Sequence, residues 1–114
     1  MNDEPLACLP MLTRVVRMTF RKEEVPAFLR LFDRYRALIL ASPGCTFLSL
    51  HHDLEDPAVL FTISRWEDAA ALERYRSSEL FLEVWRQTKV LFAAPAMAWS
   101  LKQLREGHAP DGQG

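Results

Sequence analysis

Most of the side chains best suited to chemistry in this chain lie in or directly beside one stretch, residues 63–85. The pattern there predicts a strand that ends at Trp66, followed at once by two helices that carry aromatic residues. A large ring at the point where a strand meets its covering helices favours a small pocket. The predicted catalytic residues are Trp66, Tyr75, Arg86 and His52, and the predicted pocket-lining residues are Phe28, Phe32, Thr62, Ser64, Phe81 and Trp85.

Aromatic walls of this kind suit a flat aromatic ligand. The polar groups among them suit the removal of a proton and the stabilisation of an anion in a dry cavity. Each residue also has a plainer possible role: the tryptophans can fill the core, Arg86 can be a solvated charge, and Tyr75 can bond a backbone carbonyl. An unperturbed tyrosine is a poor base at pH 7, so these residues define a pocket better than they define a reaction.

Two adjacent histidines, His51 and His52, are predicted to lie on a strand. Neighbouring strand residues face opposite sides of a sheet, so the two imidazoles cannot bind one metal ion together. The sequence leaves open which of them faces the pocket. The acidic turn at residues 53–57 lacks the spacing of a calcium-binding loop, and neither a metal nor a cofactor is expected.

Composition and charge exclude several classes of protein. Of the 114 residues, 49% are apolar and 25% are charged, which suits a single globular domain with its own core. The net charge of −1 does not favour nucleic-acid or membrane-surface binding. The apolar stretches are too short to span a membrane, and residues 1–10 do not form a secretory signal. The two cysteines lack Cys-x-x-Cys spacing, and a cytoplasmic location with reduced thiols is expected.

Hydrophobic periodicity and turn signals divide the chain into a lead segment (residues 1–11), one domain (12–104) and a disordered polar tail (105–114). The predicted strands cover residues 12–20, 45–53, 58–66 and 96–104, with a break at residues 93–95 before the last. One helix joins the first two strands, and a two-part helix, whose second part is capped by Ser77 or Ser78, joins the last two. The first helix is expected to carry an inward stripe of Val25, Phe28, Leu29, Phe32, Arg36 and Ile39.

This order, βαββαβ, predicts an α+β ferredoxin-like fold with the helices on one face of a four-stranded antiparallel sheet. The other face is expected to need a partner. In the third strand Val59, Phe61 and Ile63 point to one side and Leu60 and Trp66 to the other, so neither face is polar. We expect a homodimer packed sheet to sheet; the alternative is a monomer whose own termini cover the face.

Several segments in this order resemble the antibiotic biosynthesis monooxygenase (ABM) superfamily of dimeric α+β-barrel proteins. They are residues 15–20 (VVRMTF), the helix stop at 42–45 (SPGC), 63–67 (ISRWE), 78–81 (SELF) and the closing strand at Ala98-Trp99. The resemblance covers residues 12–104. It implies a dimeric α+β barrel with a pocket on the helix side of the sheet beside Trp66.

The haem-degrading branch of this superfamily shares the tryptophan that closes the third strand, here Trp66. That branch also has an asparagine in the first strand and a histidine ligand in the second part of the two-part helix. The first-strand position falls near Val16, and no asparagine lies in that strand. The ligand position holds Trp85, which cannot bind iron, so haem degradation is not expected.

The resemblance implies instead a cofactor-independent monooxygenase that acts on a small aromatic or quinol-like metabolite. In that chemistry an electron-rich phenol or anthrone loses a proton, and the resulting anion reduces O₂ directly. Many relatives carry a histidine about where this chain has Tyr75. The alternative is a non-catalytic small-molecule-binding or stress-related dimer of the same fold, because function depends on the site rather than on the fold.

Overall fold

The structure, a computed structural model, describes residues 11–110. The predicted lead segment, apart from Met11, and the last four residues of the predicted tail lie outside the described residues. The strands are β1 (Leu12–Phe20), β2 (Cys45–His52), β3 (Val59–Trp66) and β4 (Phe92–Lys102), and the helices are α1 (Val25–Leu40), α2 (Ala69–Arg76) and α3 (Glu79–Lys89). A short 3₁₀ turn, Lys22–Glu24, leads into α1.

The four strands form one antiparallel sheet in the order β2-β3-β1-β4. β1 pairs with β3 on one side and with β4 on the other, and β2 and β3 form a hairpin. The helices cover one face, and within one chain the sheet stays open instead of closing into a barrel. The α+β ferredoxin-like fold is therefore confirmed, with the second helix in two parts, α2 and α3.

Alternation along the strands directs one set of side chains toward the helices. The main core cluster, between the sheet and α1, consists of Met18, Phe20, Phe28, Leu31, Phe32 and Leu60. A second buried cluster, near the end of β3 and beneath α2, consists of Trp66, Ala71 and Leu72. The helix layer is thus anchored to the sheet at two places, and the space between these anchors becomes important for the site.

The start of β4 differs from the prediction. The sequence predicted a break at residues 93–95, but β4 begins at Phe92 and includes Pro95. β4 is an edge strand, where a proline can sit because its missing N–H is not needed on the unpaired side. The register against β1 shifts between Arg17 and Thr19, and this irregularity accommodates the extra residue at the proline.

The buried face of α1 also differs from the prediction. Leu29 is 42% exposed, and Arg36 forms an exposed ion pair with Asp33, so neither faces the core. Leu31 and Tyr35 pack against the sheet instead. A stripe spaced by three and four residues leaves the rotation of a helix about its axis ambiguous by one position, and packing on the sheet decides it.

Side-chain caps start both short helices. The Asp68 carboxylate accepts a hydrogen bond from the Ala71 N–H at 2.9 Å, and the Ser78 hydroxyl accepts one from the Phe81 N–H at 3.1 Å. Of the two serines that the sequence allowed, Ser78 is therefore the cap of α3. The new cap lets the chain begin a second helix, in a new direction, two residues after α2 ends.

Gly44 connects α1 to β2 in a conformation that favours glycine. Its φ is +86°, in the left-handed region. Its carbonyl accepts a hydrogen bond from the Glu67 N–H at 2.8 Å, directly after Trp66. A Cβ atom at this position would collide with the Cβ of Ala71 in α2. Both the backbone conformation and the close approach of α2 therefore require a residue without a side chain.

Gly44→Ala should lower the free energy of unfolding by about 2 kcal/mol or more, because left-handed backbone and overpacking both oppose the added methyl group. Urea unfolding measures the change. Gly107→Ala is the matched control, since no atom lies within 4 Å of the added Cβ, and it should change stability by less than about 0.5 kcal/mol. Equal stabilities of the two variants would contradict the prediction.

Candidate functional site

A cavity of about 360 Å³ lies between the helices and the sheet, bordered by both core clusters. This volume falls within the range of roughly 300–1,000 Å³ that is typical of small-molecule sites. Eight of the ten residues that the sequence suggested for the site line it together: Phe28, Phe32, Thr62, Ser64, Trp66, Tyr75, Phe81 and Trp85. Residues of all four strands form the floor, and all three helices contribute walls.

The aromatic rings at the cavity form a continuous series of contacts. Trp66 stacks on Tyr75 with ring centroids 5.0 Å apart, and Tyr75 meets Phe81 edge to face at 5.2 Å. Phe81 stacks on Trp85 at 6.0 Å, with the two planes only 9° apart. The series continues through Phe92, Phe20, Phe28 and Phe32. Because neighbouring rings fix one another's orientation, the cavity has firm, flat walls that suit a flat ligand.

Trp66 borders the cavity without any exposed surface. Its indole N–H donates a hydrogen bond to the Ser64 hydroxyl oxygen at 2.9 Å. This N–H is the only hydrogen-bonding group of the indole, so Trp66 has no polar atom left for a ligand. Trp66 therefore positions its neighbours: it supports the Tyr75 ring and fixes Ser64, whose own O–H can donate into the cavity.

Tyr75 contributes a neutral hydroxyl. Burial raises the pKa of Tyr75 well above its ordinary value, and the nearby Cys45 thiol raises it further by a smaller amount. Tyr75 therefore remains protonated at pH 7, where it can donate a hydrogen bond to a ligand oxygen but cannot act as a base.

Two arginines line one end of the cavity, and sequence reasoning missed both. Arg14 lies on β1 between Ser64 of β3 and Ser100 of β4, and its guanidinium donates to the Ser100 hydroxyl at 2.8 Å. Arg76, at the end of α2, forms an exposed ion pair with Glu73 at 3.4 Å. Burial and the positive charge of Arg76 lower the pKa of Arg14, which stays charged at pH 7. The sequence did hold a signal for Arg14: it alternates with Leu12, Val16 and Met18, and therefore lies on the same face of the first strand as these apolar residues.

Arg86 and His52 lie outside the cavity, so the expectation that they share it with Trp66 is wrong. Arg86 points to solvent and pairs with Glu83 at 2.7 Å. It follows Trp85 directly, and consecutive helix positions are about 100° apart around the axis, so the two side chains diverge. His52 is exposed at the end of the edge strand β2, with Nδ1 2.7 Å from the backbone carbonyl oxygen of Asp53. Both side chains therefore belong to the solvated surface.

Cys45 and His51, the remaining candidates for chemistry, do not contribute a reactive group to the cavity. Cys45 packs against the Trp66 cluster, and burial raises the pKa of its thiol, which makes it less reactive. His51 faces the open side of the sheet and bonds the Ser49 hydroxyl at 2.8 Å. Within residues 11–110, no group of three or more His, Cys, Asp or Glu side chains is arranged to hold a metal ion.

None of the helices described within residues 11–110 has the length and apolar character to cross a membrane.

Fold and site together define a small α+β domain with an aromatic, helix-side ligand cavity. Residues 11–87, from the start of β1 to near the end of α3, match the family model for antibiotic biosynthesis monooxygenase. The chain therefore belongs to the ABM family. No curated protein matches it.

Several solved structures share the fold. Rv0793 from Mycobacterium tuberculosis is 22% identical, with a TM-score of 0.78 over 86% of this chain and 99% of that one. PA3566 from Pseudomonas aeruginosa is 29% identical, with a TM-score of 0.74 over 84% of this chain and 96% of that one. A protein described as an antibiotic biosynthesis monooxygenase is 19% identical, with a TM-score of 0.76 over 82% of this chain and 99% of that one.

Ser64→Ala should lower the free energy of unfolding by about 1–3 kcal/mol, because it leaves the buried Trp66 N–H without its acceptor. In a Trp66→Phe background the same substitution should cost much less, since phenylalanine has no N–H. Urea unfolding of the four proteins of this double-mutant cycle gives the coupling. Strictly additive effects would show that the hydrogen bond does not stabilise the site.

Proposed function

We propose that this protein is a cofactor-independent monooxygenase that oxidises a small aromatic or quinol-like metabolite in the cavity between the helices and the sheet. The observation that carries the proposal is the combination, in one cavity, of flat aromatic walls, the neutral Tyr75 hydroxyl and the Arg14 charge. Membership of the ABM family supports it, as does the similarity of the fold to the solved antibiotic biosynthesis monooxygenase described above.

The substrate must lose a proton before it can react with O₂. Among the described residues the cavity lining holds no carboxylate and no imidazole, so its side chains favour the anion instead of taking the proton. Arg14 and Arg76 place positive charge at the cavity, which lowers the pKa of a bound phenol or anthrone. Tyr75 donates a hydrogen bond to the developing oxyanion. The proton leaves to water beside Arg76, whose side chain is 44% exposed.

An anthrone illustrates the balance of the reaction. The carbanion gives an electron pair to O₂ and forms a carbon–oxygen bond, and the resulting peroxide takes up a proton. The O–O bond then breaks, and water leaves with the second hydrogen of the same carbon. A CH₂ group and O₂ thus become a carbonyl group and water, with no external electron donor. The aromatic walls keep bulk water away from the anion during these steps.

Tyr75→Phe should lower kcat/KM for oxygen consumption with an anthrone or a hydroquinone about 10²-fold, because it removes the hydrogen bond to the oxyanion and keeps the ring. Oxygen-electrode assays measure the rate. Arg86→Gln is the control, since Arg86 is exposed and lies outside the cavity, and it should leave the rate unchanged. A wild-type rate in Tyr75→Phe would exclude the donor role, and no turnover by the wild type across the panel would contradict the monooxygenase.

The second candidate is a non-catalytic small-molecule-binding protein. The lining of the cavity favours it in one respect: the described residues offer no side-chain base for the proton transfer that oxygenation requires. Stabilisation of the protein by an aromatic ligand, as a raised Tm without any product, would support this candidate over the enzyme.

We further propose that the protein is a homodimer that packs through the open face of its sheet. Large apolar side chains on that face are exposed to an extent unusual for a free surface: Phe47 is 41%, Met97 46%, Trp99 40% and Leu101 51% exposed. Partly buried Val15 lies beside Trp99 in the register of β1 and β4, so the patch continues across strands. Two copies packed face to face would cover both patches and complete a barrel.

Trp99→Glu should convert the dimer to monomers at micromolar concentration, because it places a charge within the apolar interface. Analytical ultracentrifugation measures the mass. Leu82→Glu is the matched control, since Leu82 is 57% exposed on α3, in the helix layer, and this variant should remain dimeric. A monomeric wild type would rule out the proposed interface.

A further inference from the structure

We infer that the ligand of this cavity is an aromatic carboxylate, whose carboxylate group is bound by Arg14 and the Ser64 hydroxyl. The inference rests on the proposed function only in taking the cavity as a ligand site, and it applies equally to a catalytic or a binding protein. It names a chemical class of ligand that neither the fold nor the family specifies.

Arg14 is a partly buried charge that lines the cavity. It faces the helices from the central strand β1, in phase with the core residues Val16 and Met18. No carboxylate among the described residues forms an ion pair with it. Its one side-chain hydrogen bond to a described residue, from Nη1 to Ser100, leaves most of the five guanidinium N–H groups available. Because Arg14 lines the cavity, is partly buried and forms no direct ion pair with a described carboxylate, its guanidinium is well placed to bind an anion from solution.

Ser64 adds a second donor from the neighbouring strand β3. It lies directly opposite Arg14 on the neighbouring strand, is 8% exposed and lines the cavity. Because its oxygen accepts the Trp66 N–H, its own hydrogen is directed elsewhere, and the cavity is the space it borders. The planar fork of a guanidinium and an adjacent hydroxyl donor match the two coplanar oxygens of a carboxylate.

The charges at this end of the cavity add up to one unpaired positive charge. Arg14 and Arg76 contribute two positive charges, and Glu73, which pairs with Arg76, contributes one negative charge. The Glu73 side chain is 68% exposed and lies outside the cavity. Its negative charge nevertheless weakens the attraction between Arg14 and an anionic ligand. One carboxylate from a ligand would neutralise the remaining charge.

The rest of the cavity suits an aromatic body. Away from Arg14 the walls come from α1 and the central sheet, with Phe28, Leu31 and Phe32. This apolar region cannot satisfy a second permanent charge, since burial of an unpaired charge is costly. The lining therefore describes a ligand that has one permanently charged end and a flat remainder that is neutral when it binds.

The test compares 2-naphthoate with its neutral, nearly isosteric partner 2-naphthamide. Isothermal titration calorimetry on the full-length protein should give a Kd for naphthoate about 10- to 100-fold lower than that for naphthamide, the ratio expected of hydrogen bonds to a charged group. Arg14→Gln should remove this preference. Arg30→Gln, which changes an exposed arginine on α1, should keep it.

The most informative variant is one that should bind naphthoate more tightly, because a folding defect cannot raise affinity. Glu73→Gln removes the competing negative charge, so it should tighten naphthoate binding several-fold and leave naphthamide binding unchanged. Added salt should weaken the naphthoate preference by screening.

The outcomes separate this inference from the proposed function. Equal binding of the two compounds, unaffected by Arg14→Gln, would overturn the inference and leave the monooxygenase proposal standing. Failure of both compounds to bind would overturn the inference together with the assignment of the cavity as an aromatic-ligand site. Selective binding of naphthoate, with no oxygen consumption by any substrate in the panel, would support the inference and contradict the monooxygenase.

Discussion

The complete burial of Trp66 is the constraint on which the rest of the structure depends. Trp66 ends β3 at the point where it pairs with Leu12 of β1 and Cys45 of β2, so three strands meet beneath α2 around one indole. The backbone directly after it is bound to Gly44, which fixes the entry of β2. Moving this ring would therefore disturb the sheet, the α1–β2 connection and α2 together.

The cavity follows from this anchor. Trp66 holds α2 to one part of the sheet, while the core cluster around Phe28 holds α1 to another. α3 continues from α2 and packs its aromatic residues toward the gap, where Phe81 and Trp85 form a wall instead of filling the space. Because each ring packs against the next, these contacts set the shape of the cavity. The site is thus a consequence of how the helix layer is attached.

Local patterns in the sequence predicted the elements well where one signal dominated. The bounds of β1 are those that alternation indicated, and Ser78 caps α3 as one of the two predicted serines. Prediction was wrong where tertiary context decided: Pro95 is accepted inside β4 because that strand lies at an edge, and Leu29 is exposed because sheet packing sets the rotation of α1. Neither the position of a strand in a sheet nor the rotation of a helix is encoded in a short window.

By itself, the sequence determined the fold, the two-part second helix and the aromatic character of the pocket, because these depend on periodicity and caps that act between near neighbours in the chain. Only the tertiary structure decided which polar groups share the cavity. It brought Arg14 of the first strand to Arg76 at the end of α2, and it directed Arg86 and His52 to solvent. The physical reason is that the charge at a site is the sum over elements distant in sequence, and strand order and helix rotation determine which of them meet.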